Sequence, residues 1–355
     1  MSGIEGAEGV GSDGSDGSGG GGGGGALPRV LAVVSPHVGG RAVGAGLASL
    51  FAGQAEVTVV ESADESPAAL AEAEVLVTGL GAVTAAHLDP AASPRLRVVQ
   101  CASHGFDYVD VAAARERGVA VCSIGSSGAE AQNVAEQAFA LMLALAKHLL
   151  PAHRVLTEGD WALPRLQSVL TELSGKVLGV VGLGRIGQQV AKRAAAFDMT
   201  VLYTGRRRAP EDVERRYGAR YVPLEELLRT ADYVSLHAPL DESTRHLLDR
   251  ERLALLKPTA FVVNTARGAL IDQEALADAL ESGALAGAGL DVFDPEPPPA
   301  SLRLLRAPNV VLSPHVGGVT REALVRIALA AIENVRGWLT EGRPPADIVN
   351  GVVVD

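Results

Sequence analysis

Three residues with chemically useful side chains each follow a short apolar segment in the second half of the chain. They are an arginine, a glutamate and a histidine, namely Arg267, Glu296 and His315. The apolar segments before them are typical of buried strands, and an open sheet of parallel strands binds its ligands at the carboxyl ends of those strands. We therefore expect the three side chains to meet at one edge of a sheet.

This trio would suit hydride transfer between a nicotinamide and a 2-keto acid. Arg267 could hold the substrate carboxylate with a two-pronged hydrogen bond and polarise the carbonyl. His315 could donate the proton, and Glu296 could hold its tautomer through the other ring nitrogen. Each residue alone also has an ordinary alternative: a surface ion pair, a place in a proline-rich turn, and a buried, hydrogen-bonded imidazole.

A glycine-rich loop follows the predicted strand at 176–181. Gly182, Gly184 and Gly187 form a G-x-G-x-x-G pattern, and a helix-like segment follows at 188–197. Such glycines permit a tight turn and a close approach of pyrophosphate, while the helix N-terminus offers free N–H groups to the anion. The context predicts a dinucleotide site. The alternative is a glycine-rich turn without function.

The next predicted strand ends in a basic turn and lacks an acid. A site that prefers NAD carries Asp or Glu here, against the ribose 2′-hydroxyl. This chain has Thr204 and Gly205, followed by arginines at 206–208. Because guanidinium groups could fork onto a 2′-phosphate, the turn favours NADP, with NAD possible. The alternative is a solvated basic turn.

Two series of alternating apolar strands and helical segments organise the chain. The predicted strands lie at 29–34, 56–60, 75–78, 96–101 and 119–122, and then at 176–181, 200–203, 233–236, 261–264, 287–290 and 310–312. A long apolar helix is predicted at 129–150 with Pro151 as its stop, and another at 321–339. The pattern predicts an α/β protein with two doubly wound parallel-sheet domains.

Composition excludes several classes of partner. The 355 residues are 47% hydrophobic, yet no run reaches the roughly 18 apolar residues of a membrane helix, so we expect no membrane partner. A net charge of -11 leaves no basic stripe for nucleic acid. Two cysteines without metal-ligand spacing indicate a reducing, cytoplasmic location and no metal site. Glycine fills 13 of residues 1–26, which predicts a disordered tail.

Five motifs resemble, in order, those of the D-isomer-specific 2-hydroxyacid dehydrogenases. They lie at 182–187, 237–244, 264–268, 289–297 and 313–318. The resemblance covers about residues 29–350. It implies that Arg267 binds substrate and acts in catalysis, that Glu296 is the partner carboxylate, and that His315 is the general acid and base.

The same resemblance implies the binding surfaces. In the loop at 101–107, main-chain N–H groups would hold the substrate carboxylate together with Arg267, and the expected residues are Ser103, His104 and Gly105. The residues expected to bind the cofactor are Gly182, Gly184, Arg185, Ile186, Gly187, Thr204, Arg206, Arg207, His237, Pro239, Thr244, Ala266 and Asp291.

The resemblance also implies a domain organisation. A Rossmann NAD(P)-binding domain at 129–315 would interrupt a smaller substrate-binding domain, split between 27–128 and 316–355. The long helix near 129–150 would cross between the domains and contribute to a homodimer.

One hexapeptide occurs twice. Ser-Pro-His-Val-Gly-Gly is found at 35–40 and again at 313–318. Only His315 follows the strands that carry the arginine and the glutamate, whereas His37 belongs to the other predicted domain. We therefore interpret the repeat as a coincidence of turn chemistry.

The leading functional hypothesis is NADPH-dependent reduction of a small 2-keto acid. The turn at 203–206 is similar to that of glyoxylate and hydroxypyruvate reductases, which places those substrates first. The loop at 105–107 is also similar to that of phosphite dehydrogenases, which leaves an oxidation open. From a different class, a nucleotide-sensing corepressor-type binding protein is the alternative, although the complete catalytic trio argues against lost catalysis.

Overall fold

The computed structural model describes residues 26–354, so the predicted tail at 1–26 lies outside the described residues except for Ala26. The first sheet contains β1 (Arg29–Val34), β2 (Glu56–Val60), β3 (Val75–Gly79), β4 (Val98–Cys101) and β5 (Ala120–Cys122). The second sheet contains β6 (Val177–Val181), β7 (Thr200–Thr204), β8 (Ala219–Tyr221), β9 (Tyr233–Leu236), β10 (Phe261–Asn264), β11 (Gly287–Leu290) and β12 (Val310–Leu312).

Helices connect most of these strands. They are α1 (Gly40–Ser49), α2 (Pro67–Glu72), α3 (Ala85–Leu88), α4 (Val111–Arg117), α5 (Ala131–Ala146), α6 (Leu149–Thr157), α7 (Leu163–Leu166), α8 (Arg185–Ala196), α9 (Glu211–Tyr217), α10 (Leu224–Thr230), α11 (Arg250–Leu253), α12 (Gln273–Glu281) and α13 (Arg321–Glu341). They cover sheets whose central strands are buried on both faces, as is typical of parallel sheets.

The strand order confirms the predicted α/β class with two parallel sheets. The first sheet runs β2-β1-β3-β4-β5 and the second runs β12-β11-β10-β9-β6-β7-β8. In the second sheet the chain moves outward from β6 in one direction to β8 and then returns to β9 on the other side of β6. The carboxyl ends of β6 and β9 therefore border the crevice in which doubly wound sheets bind ligands.

The second sheet has one strand more than predicted. β8 is only three residues long and pairs in parallel with β7, with Val201 opposite Ala219. Its central residue, Arg220, is exposed, so the segment lacks the continuous apolar run that marks a parallel strand. An edge strand of three residues is too short to show a hydrophobic period in the sequence.

The helix predicted at 129–150 is two helices, and Pro151 is not a stop. α5 ends at Ala146, and His148 has a left-handed backbone with φ of 44°. Pro151 then lies in the first turn of α6, where a missing N–H removes no helical hydrogen bond. The prediction was wrong because a proline suits a helix start as well as a position beyond a helix end.

α5 lies directly on the second sheet. It buries Ala138, Leu141, Met142 and Leu145, and a β-carbon on Gly289 of β11 would come within 2.8 Å of the Leu141 β-carbon. The glycine in β11 therefore permits the helix to pack at short range. This packing places the N-terminal half of α5 beside the loop that follows β12.

The C-terminal helix returns to the first sheet. Ile332 and Val335 of α13 belong to the same buried cluster as Val30, Val75 and Val98. This agrees with a substrate domain built from both ends of the chain, while the division at 27–128, 129–315 and 316–355 stays a prediction. Within residues 26–354 no single helix meets the length and hydropathy of a membrane span, and α5 with α6 does so only as a pair bent by 57°.

Candidate active site

The glycine loop adopts the conformation that its pattern predicts. Gly182 has φ of 98°, and a β-carbon there would lie 2.7 Å from the carbonyl oxygen of His237. Gly184 precedes the first turn of α8, and a β-carbon at Gly187 would overlap the Gly182 carbonyl. The loop thus leaves a backbone cradle beside a helix N-terminus, which suits a pyrophosphate.

A cavity of about 490 Å³ extends from this loop to the basic turn after β7. Its lining includes Gly182, Gly184, Gln188, Gly205, Arg206 and Arg207. The carbonyl of Thr204 accepts the Gly182 N–H at 2.8 Å, which fixes the two turns side by side. Arg185 and Ile186 form the first turn of α8. The residues present therefore fit a dinucleotide.

One of the three arginines in the basic turn serves the fold. Arg208 donates from Nε and Nη2 to Glu214, at 2.9 and 2.8 Å, and the Tyr203 hydroxyl donates to the same carboxylate at 2.6 Å. These hydrogen bonds lower the pKa of Glu214 to about 2, although burial acts against them. Arg206 and Arg207 are exposed, and neither has an ion-pair partner in the described part of the chain. They remain free to meet a phosphate.

The loop after β9 lies beside the glycine loop, with the His237 carbonyl close to Gly182. The Nε2 atom of His237 lies 2.8 Å from the Ser235 hydroxyl, and burial lowers the pKa of His237 to about 3. Thr244 donates to the Pro239 carbonyl at 2.8 Å and closes the turn. Burial therefore favours the neutral form of His237, and Ser235 holds its ring.

The predicted catalytic trio meets at a second cavity, of about 420 Å³, between the two sheets. Arg267, Glu296 and His315 line it from the nucleotide side. From the first sheet's side it is lined by Ser35, His37, Val38, Leu80, Asp107 and Tyr108. The sequence had given no role to these six residues, because their meeting depends on how the two halves of the chain pack together.

Arg267 is held in place from both sides. Its Nε donates to Asp107 at 2.7 Å, and its Nη1 donates to the Ala266 carbonyl at 2.7 Å. Asn264 shapes the turn, since its side chain donates to the Arg267 carbonyl and accepts the Ala266 N–H. In the described residues Nη2 has no hydrogen-bond partner, so it can receive an anion.

His315 and Glu296 are hydrogen-bonded to each other, and their acid–base role stays a prediction. Nδ1 of His315 lies 2.7 Å from Oε2 of Glu296, and Oε1 of that carboxylate accepts the Phe293 N–H at 2.9 Å. Burial acts to raise the pKa of Glu296, but the hydrogen bond to His315, the charge of His315 and Arg267 together lower it. His315 lines the cavity, and its Nε2 has no hydrogen-bond partner among the described residues.

Asp291 fixes the loop that carries His315. His315 has a left-handed backbone with φ of 53°, and its N–H donates to the Asp291 carbonyl at 2.7 Å. The Asp291 side chain accepts the N–H groups of Val316 and Gly317 at 3.0 and 2.8 Å, and burial raises its pKa. The contact of Asp291 with the cofactor stays a prediction. In the structure its hydrogen bonds hold the His315 loop.

The predicted substrate loop at 101–107 reaches the cavity through Asp107. A β-carbon on Gly105 would overlap Nη2 of Arg267, so this glycine makes room for the guanidinium. Ser103 bonds to the Tyr108 hydroxyl at 2.6 Å and to the Gly105 carbonyl at 2.7 Å. Ser103, His104 and Gly105 are not among the described residues that line the cavity. Their binding role stays a prediction.

His104 contacts two residues, Glu130 and Gly125, that do not line the cavity. Its N–H donates to Glu130 at 3.1 Å, so that group is already engaged. Its ring lies beside Gly125, where a β-carbon would be 3.2 Å from Cε1 and Nδ1. Neither contact could be inferred from the loop sequence, because Glu130 lies 26 positions further along the chain.

A dinucleotide crevice in one sheet, with a cation and an acid–base pair beside it, defines a nicotinamide-dependent dehydrogenase of two domains. Residues 139–317 match the family model described as D-isomer specific 2-hydroxyacid dehydrogenase, NAD binding domain. The chain is 43% identical over 265 residues to a glyoxylate reductase of Korarchaeum cryptofilum, covering 74% of this chain and 79% of that protein.

Two further comparisons agree. A hydroxypyruvate reductase of Thermotoga maritima is 41% identical over 77% of this chain and 87% of its own. The crystal structure of a glyoxylate reductase from Paecilomyes thermophila superposes with a TM-score of 0.78 at 30% identity, covering 91% of this chain and 98% of that one. The chain belongs to the D-isomer-specific 2-hydroxyacid dehydrogenases, which confirms the predicted family, and it is an NAD(P)-dependent oxidoreductase.

The lowered pKa of Glu296 predicts a pH dependence. Its carboxylate stays ionised as the pH falls to the ordinary glutamate value of about 4.3, so its hydrogen bond to His315 is kept down to that pH and is lost as the pH falls further. We expect kcat for keto-acid reduction to hold between pH 7 and about 5, and Glu296→Gln to lower it roughly tenfold or more. Measurement of kcat against pH for both proteins checks this; equal profiles would contradict the pairing.

Proposed function

We propose that the protein reduces glyoxylate or hydroxypyruvate, with NADPH as the preferred cofactor. The observation that carries the proposal is that Arg267 and the His315–Glu296 pair line the same cavity. Relatives that are 43% and 41% identical bear the names glyoxylate reductase and hydroxypyruvate reductase, which supports the substrate class.

The side chains divide the chemistry among themselves. Nη2 of Arg267 binds the substrate carboxylate and draws electron density from the keto oxygen. Nicotinamide, when bound, supplies the hydride. His315 gives its Nε2 proton to the keto oxygen as the carbon–oxygen double bond becomes a single bond, and Glu296 stabilises the ring before that transfer. The product is the 2-hydroxy acid.

The cofactor preference rests on the basic turn. Arg206 and Arg207 line the same cavity as the glycine loop, and the position of the expected acid is occupied by Gly205. Arg208 is committed to Glu214, so the two preceding arginines are the candidates for a 2′-phosphate. That phosphate carries about two negative charges at neutral pH, which favours a guanidinium contact.

Buried thiols support a reducing, cytoplasmic location. Cys101 and Cys122 are both free and buried, and burial raises the pKa of each to about 12. Neither is therefore a reactive thiolate.

A matched pair of histidine variants tests the reaction. His315→Ala should lower kcat by roughly 10²- to 10⁴-fold, the usual size of an acid–base contribution. His37→Ala changes the same hexapeptide on the other wall of the cavity, and kcat should stay near wild type because His37 has no carboxylate partner among the described residues. The assay is turnover of glyoxylate and hydroxypyruvate with each cofactor. Near-normal kcat in His315→Ala would refute the assignment.

A double arginine variant tests the cofactor preference. Replacing Arg206 and Arg207 with Ala should raise KM for NADPH tenfold or more, since each charge-assisted contact contributes about 1.5 to 3 kcal/mol. KM for NADH should hardly change, because the 2′-hydroxyl does not need these groups. Both constants are measured at fixed ionic strength. If wild type prefers NADH, or the variant loses both cofactors equally, NADP preference is wrong.

We also propose a homodimer that covers the segment from α6 to residue 170. Large apolar side chains are exposed throughout it, including Leu149, Leu156, Trp161, Leu163, Val169 and Leu170. Trp161 has 75% of its surface exposed. Several large exposed apolar side chains within one segment are typical of an interface, and a second copy supplies the same apolar side chains.

Light scattering tests the dimer directly. Wild type should have twice the 36.5 kDa mass of the chain, whereas Leu156→Glu with Trp161→Glu should have the single mass because buried charges would oppose association. A monomeric wild type, or a dimeric double variant, would place the interface elsewhere or remove it.

A further inference from the structure

The hydrogen bonds that hold the His315 loop continue into helix α5. Ser313 donates to the Asp291 carboxylate at 2.5 Å, and the same Ser313 oxygen accepts from Nε2 of Gln137 at 2.8 Å. Asn133 donates from Nδ2 to the Gly317 carbonyl at 2.7 Å. The two amides therefore bond to the loop on either side of His315.

Gln137 and Asn133 lie one turn apart, so they share one face of α5. The close packing of α5 on Gly289 brings that face to the end of the second sheet. Gly317 completes the fit, since a β-carbon there would lie 3.6 Å from the Gln137 side chain and 2.9 Å from the Asp291 carboxylate. The loop is thus enclosed between the helix and the buried aspartate.

Asn133 is an unusual residue for this position if packing alone were needed. It is buried, and its Oδ1 has no hydrogen-bond partner within residues 26–354. A buried amide oxygen without a partner is unfavourable, and an alanine or leucine on the helix would avoid it. The one bond that Asn133 makes, to Gly317, is the specific feature that its side chain supplies.

The loop needs such support because its backbone is strained. His315 has φ of 53°, a conformation that a residue with a side chain keeps only when its surroundings impose it. Strand β12 ends at Leu312, and after the Ser313 N–H has bonded to the Leu290 carbonyl the loop depends on hydrogen bonds from outside the strand ladder. Asp291 supplies four of these bonds through its main chain and carboxylate, and α5 supplies two more.

We propose that Asn133 and Gln137 are positioning residues that set the orientation of His315 through Ser313 and Gly317. The inference rests on the proposed acid–base role of His315. In this arrangement the helix that begins at the border of the two predicted domains also determines where the proton donor stands. Neither amide touches the cavity wall formed by Arg267, Glu296 and His315.

The variant Gln137→Met tests the proposal because it keeps the length of the side chain and removes its N–H. We expect kcat to fall roughly tenfold, a part of the 10²-fold loss that a 1 Å misplacement of a catalytic group can cause. KM for the keto acid should change much less, since Arg267 is held by Asp107 and not by α5. Gln132→Met is the matched control: its amide bonds only to Glu136 on the exposed side of α5, so kcat should remain at the wild-type value.

The same change in the His315→Ala background distinguishes positioning from general structure. If Gln137 acts through His315, Gln137→Met should leave the residual rate of His315→Ala unaltered. A further tenfold loss in that background would overturn the proposal, and so would full kcat in Gln137→Met alone. Thermal unfolding of each variant, followed by circular dichroism, shows that the compared proteins are folded.

Asn133→Ala provides a second route if Gln137→Met fails to fold. It should lower kcat with the same dependence on His315, and an effect on KM alone would contradict positioning. The outcomes also separate the two proposals. Normal kcat in His315→Ala removes the proposed function itself, whereas a large loss there with additive effects of Gln137→Met removes only the positioning role.

Discussion

The ion pair between Arg267 and Asp107 makes the active site a property of both domains. The arginine follows β10 in the nucleotide sheet, whereas the aspartate follows β4 in the other sheet, and the two are joined at 2.7 Å. Because Asp107 accepts from Nε and the Ala266 carbonyl accepts from Nη1, the direction of the remaining nitrogen, Nη2, is defined. Gly105 then supplies the space that this orientation requires.

Charged side chains that line the cavity are paired with opposite charges. Arg267 is matched by Asp107, His315 by Glu296, and Asp294 at the rim by Arg245. A charge that is partly removed from water is stable only with such a partner. Because the other charges are paired, Nη2 of Arg267 is the donor from which an additional anion would receive the strongest hydrogen bond. The carboxylate of a small 2-keto acid is such an anion.

Sequence reasoning succeeded where a residue's role depends on its own strand. The segments before Arg267, Glu296 and His315 are short and apolar, so the prediction that they are strands whose carboxyl ends meet followed from pattern alone. It failed where two distant segments decide. The contacts of His104 with Glu130 and Gly125 are an example. The break after α5 is a local failure, because the sequence carries no signal for the left-handed backbone of His148.

The repeated hexapeptide shows how context assigns different conformations to one sequence. At 35–40 the turn forms hydrogen bonds within itself, since the N–H groups of Val38 and Gly39 donate to the carbonyls of Ser35 and Pro36. At 313–318 the corresponding N–H groups, of Val316 and Gly317, donate to the carboxylate of Asp291. A buried acceptor on the neighbouring strand therefore replaces the local turn and leaves the histidine backbone left-handed. Both imidazoles line the cavity, but only the second is tied to the nucleotide sheet and paired with a glutamate, which is what an acid–base group requires.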